Sequence, residues 1–135
     1  MRVIPDDVLG VIAVFMEAEG EPYAGKVGVA EVIQKRTARK FMSDGTVAGT
    51  VLRKYQFSGF NSDSGNRIRA FKIDSDNPVV QECWKAWKEA EAGSNLTGEA
   101  LHYYNPKLCD PMWARGAETV ATLGDHRFVI PKERR

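Results

Sequence analysis

The sequence predicts a mainly helical α+β domain carrying one small β element. Three observations support this. Apolar residues recur at helical spacing in separate stretches of the first two thirds of the chain. Gly and Pro stand at the ends of those stretches, where helices start and stop. Only the last third shows short extended runs around a Gly-Asp pair, the signature of a hairpin. The 135 residues suit one domain, 1–135, and 43 % hydrophobic residues are enough for a core without metal or disulfide staples.

The first helix is expected to start after Pro5, with Asp6 or Asp7 as N-cap, and to stop near Gly20 and Pro22. Val8, Leu9, Val11, Ile12, Phe15 and Met16 make it apolar nearly all round, so it should be central and buried. Its apolar run, residues 8–16, is too short to span a bilayer. Asp6 and Asp7 stand where a signal peptide needs positive charge, so neither an integral membrane segment nor an export signal is expected. A second helix should run from Tyr23 to Lys40, with Val29, Val32, Ile33 and Arg36 inward and Lys35, Arg39 and Lys40 facing water.

A loop around Ser43, Asp44 and Gly45 should lead into a short helical turn over residues 47–54, followed by a Gly-, Ser-, Asn- and Asp-rich loop over 58–66. Asn77-Pro78 reads as a helix start, an Asn cap followed by Pro at the first helical position. Val80, Cys83, Trp84 and Trp87 then follow at i, i+3, i+4 and i+7, which makes the two Trp core residues, and Gly93 closes the helix. Residues 100–104 read as extended, and 122–128 as a hairpin turning at Gly124-Asp125.

The charge balance, 19 basic against 18 acidic residues, offers no electrostatic case for nucleic acid or an anionic membrane. The basic tail 132–135 reads as a solvated terminus. Cys83 and Cys109 read as free thiols in a reducing compartment, with Cys83 in the core. His102, His126 and Cys109 are the conceivable zinc set, but their spacing fits no compact zinc signature, so no metal and no cofactor is expected.

Glu17 is the first candidate for chemistry. Standing directly after the apolar run, it is either an ordinary exposed residue at a helix end or a carboxyl at the edge of an apolar helix. In the second case partial desolvation raises its pKa and lets it donate a proton to a leaving oxygen near neutral pH. Glu19 and Glu21 share the ambiguity, and Glu21 beside Pro22 is also suited to bracing a turn.

The stretch 17–36 opens Glu17-Ala18-Glu19-Gly20-Glu21-Pro22-Tyr23 and continues through Gly25, Val29, Ala30, Val32 and Arg36. Gln56-Phe57-Ser58 follows, then Ala100-Leu101-His102-Tyr103-Tyr104-Asn105-Pro106, Trp113, and Leu123-Gly124-Asp125-His126-Arg127-Phe128. These five blocks, in this order and over nearly the whole chain, resemble the SleB-like family of cell-wall hydrolases. Two positions depart from the family pattern: Glu19 stands where Arg is usual, and Gln34-Lys35-Arg36 where Leu-Asn-Arg is frequent.

The resemblance implies a reduced lysozyme or lytic-transglycosylase core with one essential Glu, which maps onto Glu17. It implies cleavage of the β-1,4 bond between N-acetylmuramic acid and N-acetylglucosamine in bacterial peptidoglycan. Glu17 would first protonate the glycosidic oxygen and then, as carboxylate, help deprotonate the sugar's 6-hydroxyl. A muramidase-type hydrolase would need a second carboxylate, for which Glu21, Asp44 and Asp63 are the candidates.

Substrate contacts are expected from Glu21, Gln56, Ser58, His102 at the border of the cleft, Tyr103, Tyr104, Asn105 and Trp113, with His126 fixing the hairpin by a hydrogen bond and Phe57 in the core. For each of these residues packing or loop bonding is the competing reading. A zinc-dependent N-acetylmuramoyl-L-alanine amidase or peptidase and a non-catalytic wall-binding module are the rival functions. The expected setting is a monomeric phage endolysin, made in the cytoplasm and reaching the wall after a holin opens the membrane; bacterial relatives keep a bacterial origin open.

Overall fold

The computed structural model describes residues 4–53 and 73–134. Among the described residues four helices, α1 (Asp6–Ala18), α2 (Tyr23–Arg39), α3 (Val47–Val51) and α4 (Pro78–Glu91), precede three strands, β1 (His102–Tyr104), β2 (Glu118–Leu123) and β3 (His126–Ile130). Single 3-10 turns cover Met112–Ala114 and Lys132–Arg134. This is the α+β architecture expected, with a third strand added to the hairpin. Gln56, Phe57, Ser58 and Asp63 lie outside the described residues.

The core is built by α1, α2 and α4. Leu9, Val11, Ala13, Val14, Phe15, Met16 and Ala18 bury almost the whole circumference of α1. Val29, Ala30, Val32 and Ile33 of α2 are fully buried against it. From α4 come Val80, Cys83 and Trp87, with Trp84 half-buried at the edge. Each large aliphatic side chain so buried contributes about 1.5–3 kcal/mol. Two glycines set how closely the elements approach. A Cβ on Gly10 would lie 2.4 Å from the Trp87 ring, and one on Gly28 would lie 2.6 Å from the Phe128 ring. The first brings α4 onto α1, and the second brings the sheet onto α2.

Several local expectations change. Pro5, not Asp6 or Asp7, holds the N-cap position of α1, and no side chain caps that end. Asp7 is taken instead by α4: its carboxylate accepts from Trp87 Nε1 at 3.1 Å and from Lys88 Nζ at 2.8 Å. Lys35 does not simply face water. Its Nζ donates to Asn95 Oδ1 at 2.6 Å, Gly98 O at 2.6 Å and Thr97 Oγ1 at 3.2 Å, which ties α2 to the segment after α4. The Asn77 cap accepts from Val79 N–H at 2.8 Å, as the Asn-Pro pair predicts. Cys83 is buried and Cys109 exposed, and both are free thiols.

The antiparallel sheet has the order β1-β3-β2. Tyr103 pairs with Phe128, and Leu123 with His126 across the Gly124-Asp125 turn. Gly124 sits at φ +64°, a conformation that favours glycine. A register shift between Thr119 and Ala121 bends β2.

Candidate active site

The site forms where α1 stops. Glu17 lies in the last turn of α1, and the chain reverses through Gly20, Glu21 and Pro22 into α2. Two contacts press the β2–β3 hairpin onto this bend, and a third ties its turn to the segment after β1. Glu21 Oε1 accepts from the Asp125 backbone N–H at 2.6 Å. His126 Nε2 lies 3.0 Å from the Glu17 carbonyl oxygen. Lys107 Nζ reaches Asp125 Oδ1 at 2.7 Å. From below, the buried Lys26 ammonium donates to the Glu21 carbonyl and pairs with Glu82 Oε1 at 3.3 Å. The bend is therefore held from both sides.

Beside it opens a cavity of about 490 Å³, lined by Glu17, Glu19, Glu21, Asn105, Leu108 and His126 among others. Glu17 is half-buried on its wall. Burial pushes its carboxyl up to about 7 from the ordinary 4.5, against the downward pulls of the Tyr103 hydroxyl and the Arg36 guanidinium. The Tyr103 hydroxyl stands next to the Glu17 carboxyl and favours its charged form. Burial and the neighbouring Glu17 charge hold its phenol well above the ordinary range, so it stays a neutral donor. Arg36 is buried under this pair, with its Nε donating to Leu101 O at 2.7 Å and its guanidinium 5.5 Å from the centre of the Phe41 ring. The group at the centre is thus an acid that gives up its proton near neutrality and has a cation and a phenol ready to receive the resulting charge.

The expected site residues divide by strand geometry. Tyr103 faces inward, with its ring 5.1 Å from His126 and 5.4 Å from Phe128. Alternation along β1 sends His102 and Tyr104 to the opposite face, where both meet Trp113, at 5.3 Å and 5.7 Å. His102, Tyr104 and Trp113 therefore do not line the Glu17 cavity. His102 borders a separate one of about 180 Å³ with Arg39, Leu101 and Arg134, and its imidazole is pushed down to about 4 by burial and by Arg36 and Arg134. Tyr104 takes a hydrogen bond from Arg127 Nη1 at 3.2 Å.

Asn105 reaches the Glu17 cavity, although its Oδ1 accepts from the Lys107 N–H at 2.9 Å and so shapes its own turn. Glu21 borders the cavity while bracing the hairpin, the bland alternative for that residue. Asp44 is elsewhere: its Oδ1 accepts from Thr46 N at 2.9 Å and Thr46 Oγ1 at 2.6 Å. Among the described residues no three His, Cys, Asp or Glu side chains are placed to hold a metal ion. The sheet itself separates His102 from His126, because they point to opposite faces.

Two charged residues of the second helix were not singled out by sequence reasoning. Arg36 reads as one more member of a buried face, and Glu31 carries only a faint signal. Glu31 is 2 % exposed, and its carboxylate accepts from Ser94 Oγ (2.6 Å), Leu96 N (3.0 Å), Thr97 N (2.9 Å) and Thr97 Oγ1 (2.7 Å). It anchors the segment leading into β1. The one available hint was a Glu between Ala30 and Val32 in a run that is otherwise apolar.

An acid at a helix end, set beside a cavity and covered by a small antiparallel sheet, is the arrangement this fold builds. The cell wall hydrolase family model matches residues 20–129, and the chain belongs to that family. The catalytic domain of the Bacillus cereus SleB protein superposes with a TM-score of 0.74 at 29 % identity, covering 93 % of this chain and 89 % of that one. The catalytic domain of the germination-specific lytic transglycosylase SleB from Bacillus anthracis gives a TM-score of 0.71 at 28 % identity, covering 95 % and 97 %. The spore cortex-lytic enzymes of Bacillus subtilis strain 168 and Bacillus cereus are 28 % and 31 % identical over 86 % of this chain. The chain spans 34 % and 40 % of the length of these two relatives.

Proposed function

We propose that this chain, as one catalytic domain over residues 1–135, cleaves the β-1,4 bond between N-acetylmuramic acid and N-acetylglucosamine in peptidoglycan, by the lytic transglycosylase route. The observation that carries the reading is Glu17, a carboxyl poised near neutrality on the wall of a cavity large enough for sugar rings. In its acid form Glu17 donates its proton to the glycosidic oxygen as the bond to the anomeric carbon breaks. The carboxylate left behind is steadied by Tyr103 and Arg36 and takes the proton of the sugar's own 6-hydroxyl, whose oxygen closes a 1,6-anhydro ring. One carboxyl does both jobs. The assignment agrees with the engagement of Glu21 by the hairpin turn, since a two-carboxylate hydrolase needs a second group free to act on water.

The test is mass spectrometry of digested peptidoglycan. Products lighter by one water than hydrolytic ones, made by wild type and absent with Glu17→Gln, support the route. Full-mass products point to a muramidase, and uncut glycan with cleaved peptide or amide bonds removes the glycan reading. For its cellular setting we propose host lysis as a monomeric phage endolysin. Lysis on co-expression should need both a holin and Glu17, and lysis without a holin would remove that role.

A further inference from the structure

His126 opens β3 and is 9 % exposed. Its Nε2 lies 3.0 Å from the Glu17 carbonyl oxygen. A carbonyl only accepts, so Nε2 carries the proton, and in the neutral ring Nδ1 is left as a bare acceptor. Among the described residues that Nδ1 is buried without a hydrogen-bond partner. The ring meets Tyr103 at 5.1 Å and Phe128 at 6.3 Å, aromatic neighbours packed around it. The same imidazole lines the cavity that holds Glu17, Glu21 and Asn105. A buried acceptor with no donor is costly, and the ring that carries this one is part of the cavity wall.

We propose that His126 is a substrate-contacting residue: Nδ1 accepts a hydrogen bond from a hydroxyl or acetamido N–H of the bound glycan, while Nε2 fixes the main chain that carries Glu17. This rests on the glycan reading above. It gives the hairpin a second task besides closing the bend, because the same ring would register the sugar against the acid.

Two substitutions separate the tasks. His126→Gln keeps an N–H near the Nε2 position and deletes the acceptor. His126→Asn keeps an acceptor near Nδ1 and loses the reach to the Glu17 carbonyl. Both are made in a Glu17→Gln parent, which cannot consume substrate, and titrated calorimetrically with a tetramer of N-acetylglucosamine. His126→Gln is expected to bind about tenfold more weakly with its melting temperature held, the loss of one hydrogen bond to a ligand. His126→Asn is expected to melt earlier yet bind close to the parent level. In the active enzyme His126→Gln should raise KM more than it lowers kcat. Parent-level binding by His126→Gln, or equal losses in the two variants, would overturn the contact and leave the glycan reading intact. A parent that binds no oligosaccharide would bring down the glycan reading instead.

Discussion

Glu17 concentrates the cost and the use of burial in one carboxyl. Its pKa rises from 4.5 to about 7 on folding. A raised carboxyl pKa penalises the folded state: the penalty is absent below the unfolded value and fully present above the folded one. At about 1.4 kcal/mol per unit, the upper bound is about 3 kcal/mol. Glu17→Gln should therefore raise the melting temperature at about pH 8 and leave it nearly unchanged at about pH 4, while lytic activity drops by about 10²–10⁴. A variant that loses activity without that pH-dependent gain would show that the carboxyl was never desolvated. Lytic rate should also decline as pH rises through about 7, where Glu17 gives up its proton. Tyr103 pulls the same pKa down, so Tyr103→Phe should shift this alkaline limb to higher pH. A limb that stays put would separate the phenol from the acid.

At the scale of elements, close approach and a buried carboxylate hold the parts in register. Gly10→Ala would drive a Cβ into the Trp87 indole. A loss of about 1–3 kcal/mol in urea unfolding is expected, with altered tryptophan fluorescence. Glu31 joins α2 to the segment before β1. Burial pushes its carboxyl up, but bonds from Ser94, Thr97 and the Leu96 and Thr97 amides outweigh that and leave the pKa below 4.5. Its contribution is thus present above 4.5 and lost as pH falls through the lower folded value. Glu31→Gln turns an amide N–H toward donors and should cost about 3 kcal/mol at about pH 7, the gap to wild type narrowing in acid. A constant gap would mean the site senses shape rather than charge.

For the molecule as a whole, the active geometry is a joint product of helix end and sheet. Glu17 comes from α1, Tyr103 from β1, Arg36 from α2 and His126 from β3. No pair among these four is closer in sequence than 19 residues. The site should therefore be lost in one step with the fold: on heating, lytic activity and near-ultraviolet circular dichroism should fall with a single midpoint. Chelator treatment should leave activity unchanged, because His102 and His126 face away from each other across the sheet. Chelator-sensitive lysis would revive the zinc amidase reading.

The periodicity of apolar residues, the Asn77-Pro78 start, the Gly93 stop and the Gly124-Asp125 turn are local, and each alone determined its element, because helix and hairpin rules act over a few residues. The ordered sequence blocks, matched by the family model over residues 20–129, determined the family in the same way. What only the tertiary structure decided depends on which distant groups meet. A three-residue strand sends Tyr103 to Glu17 and its neighbours His102 and Tyr104 to the other face, and β1 is too short for its own pattern to reveal the phase. Asp7, Lys35 and Glu31 could not be assigned from their surroundings in the chain, since their partners lie about 60–80 residues away and burial of a charge is set by the partner that compensates it.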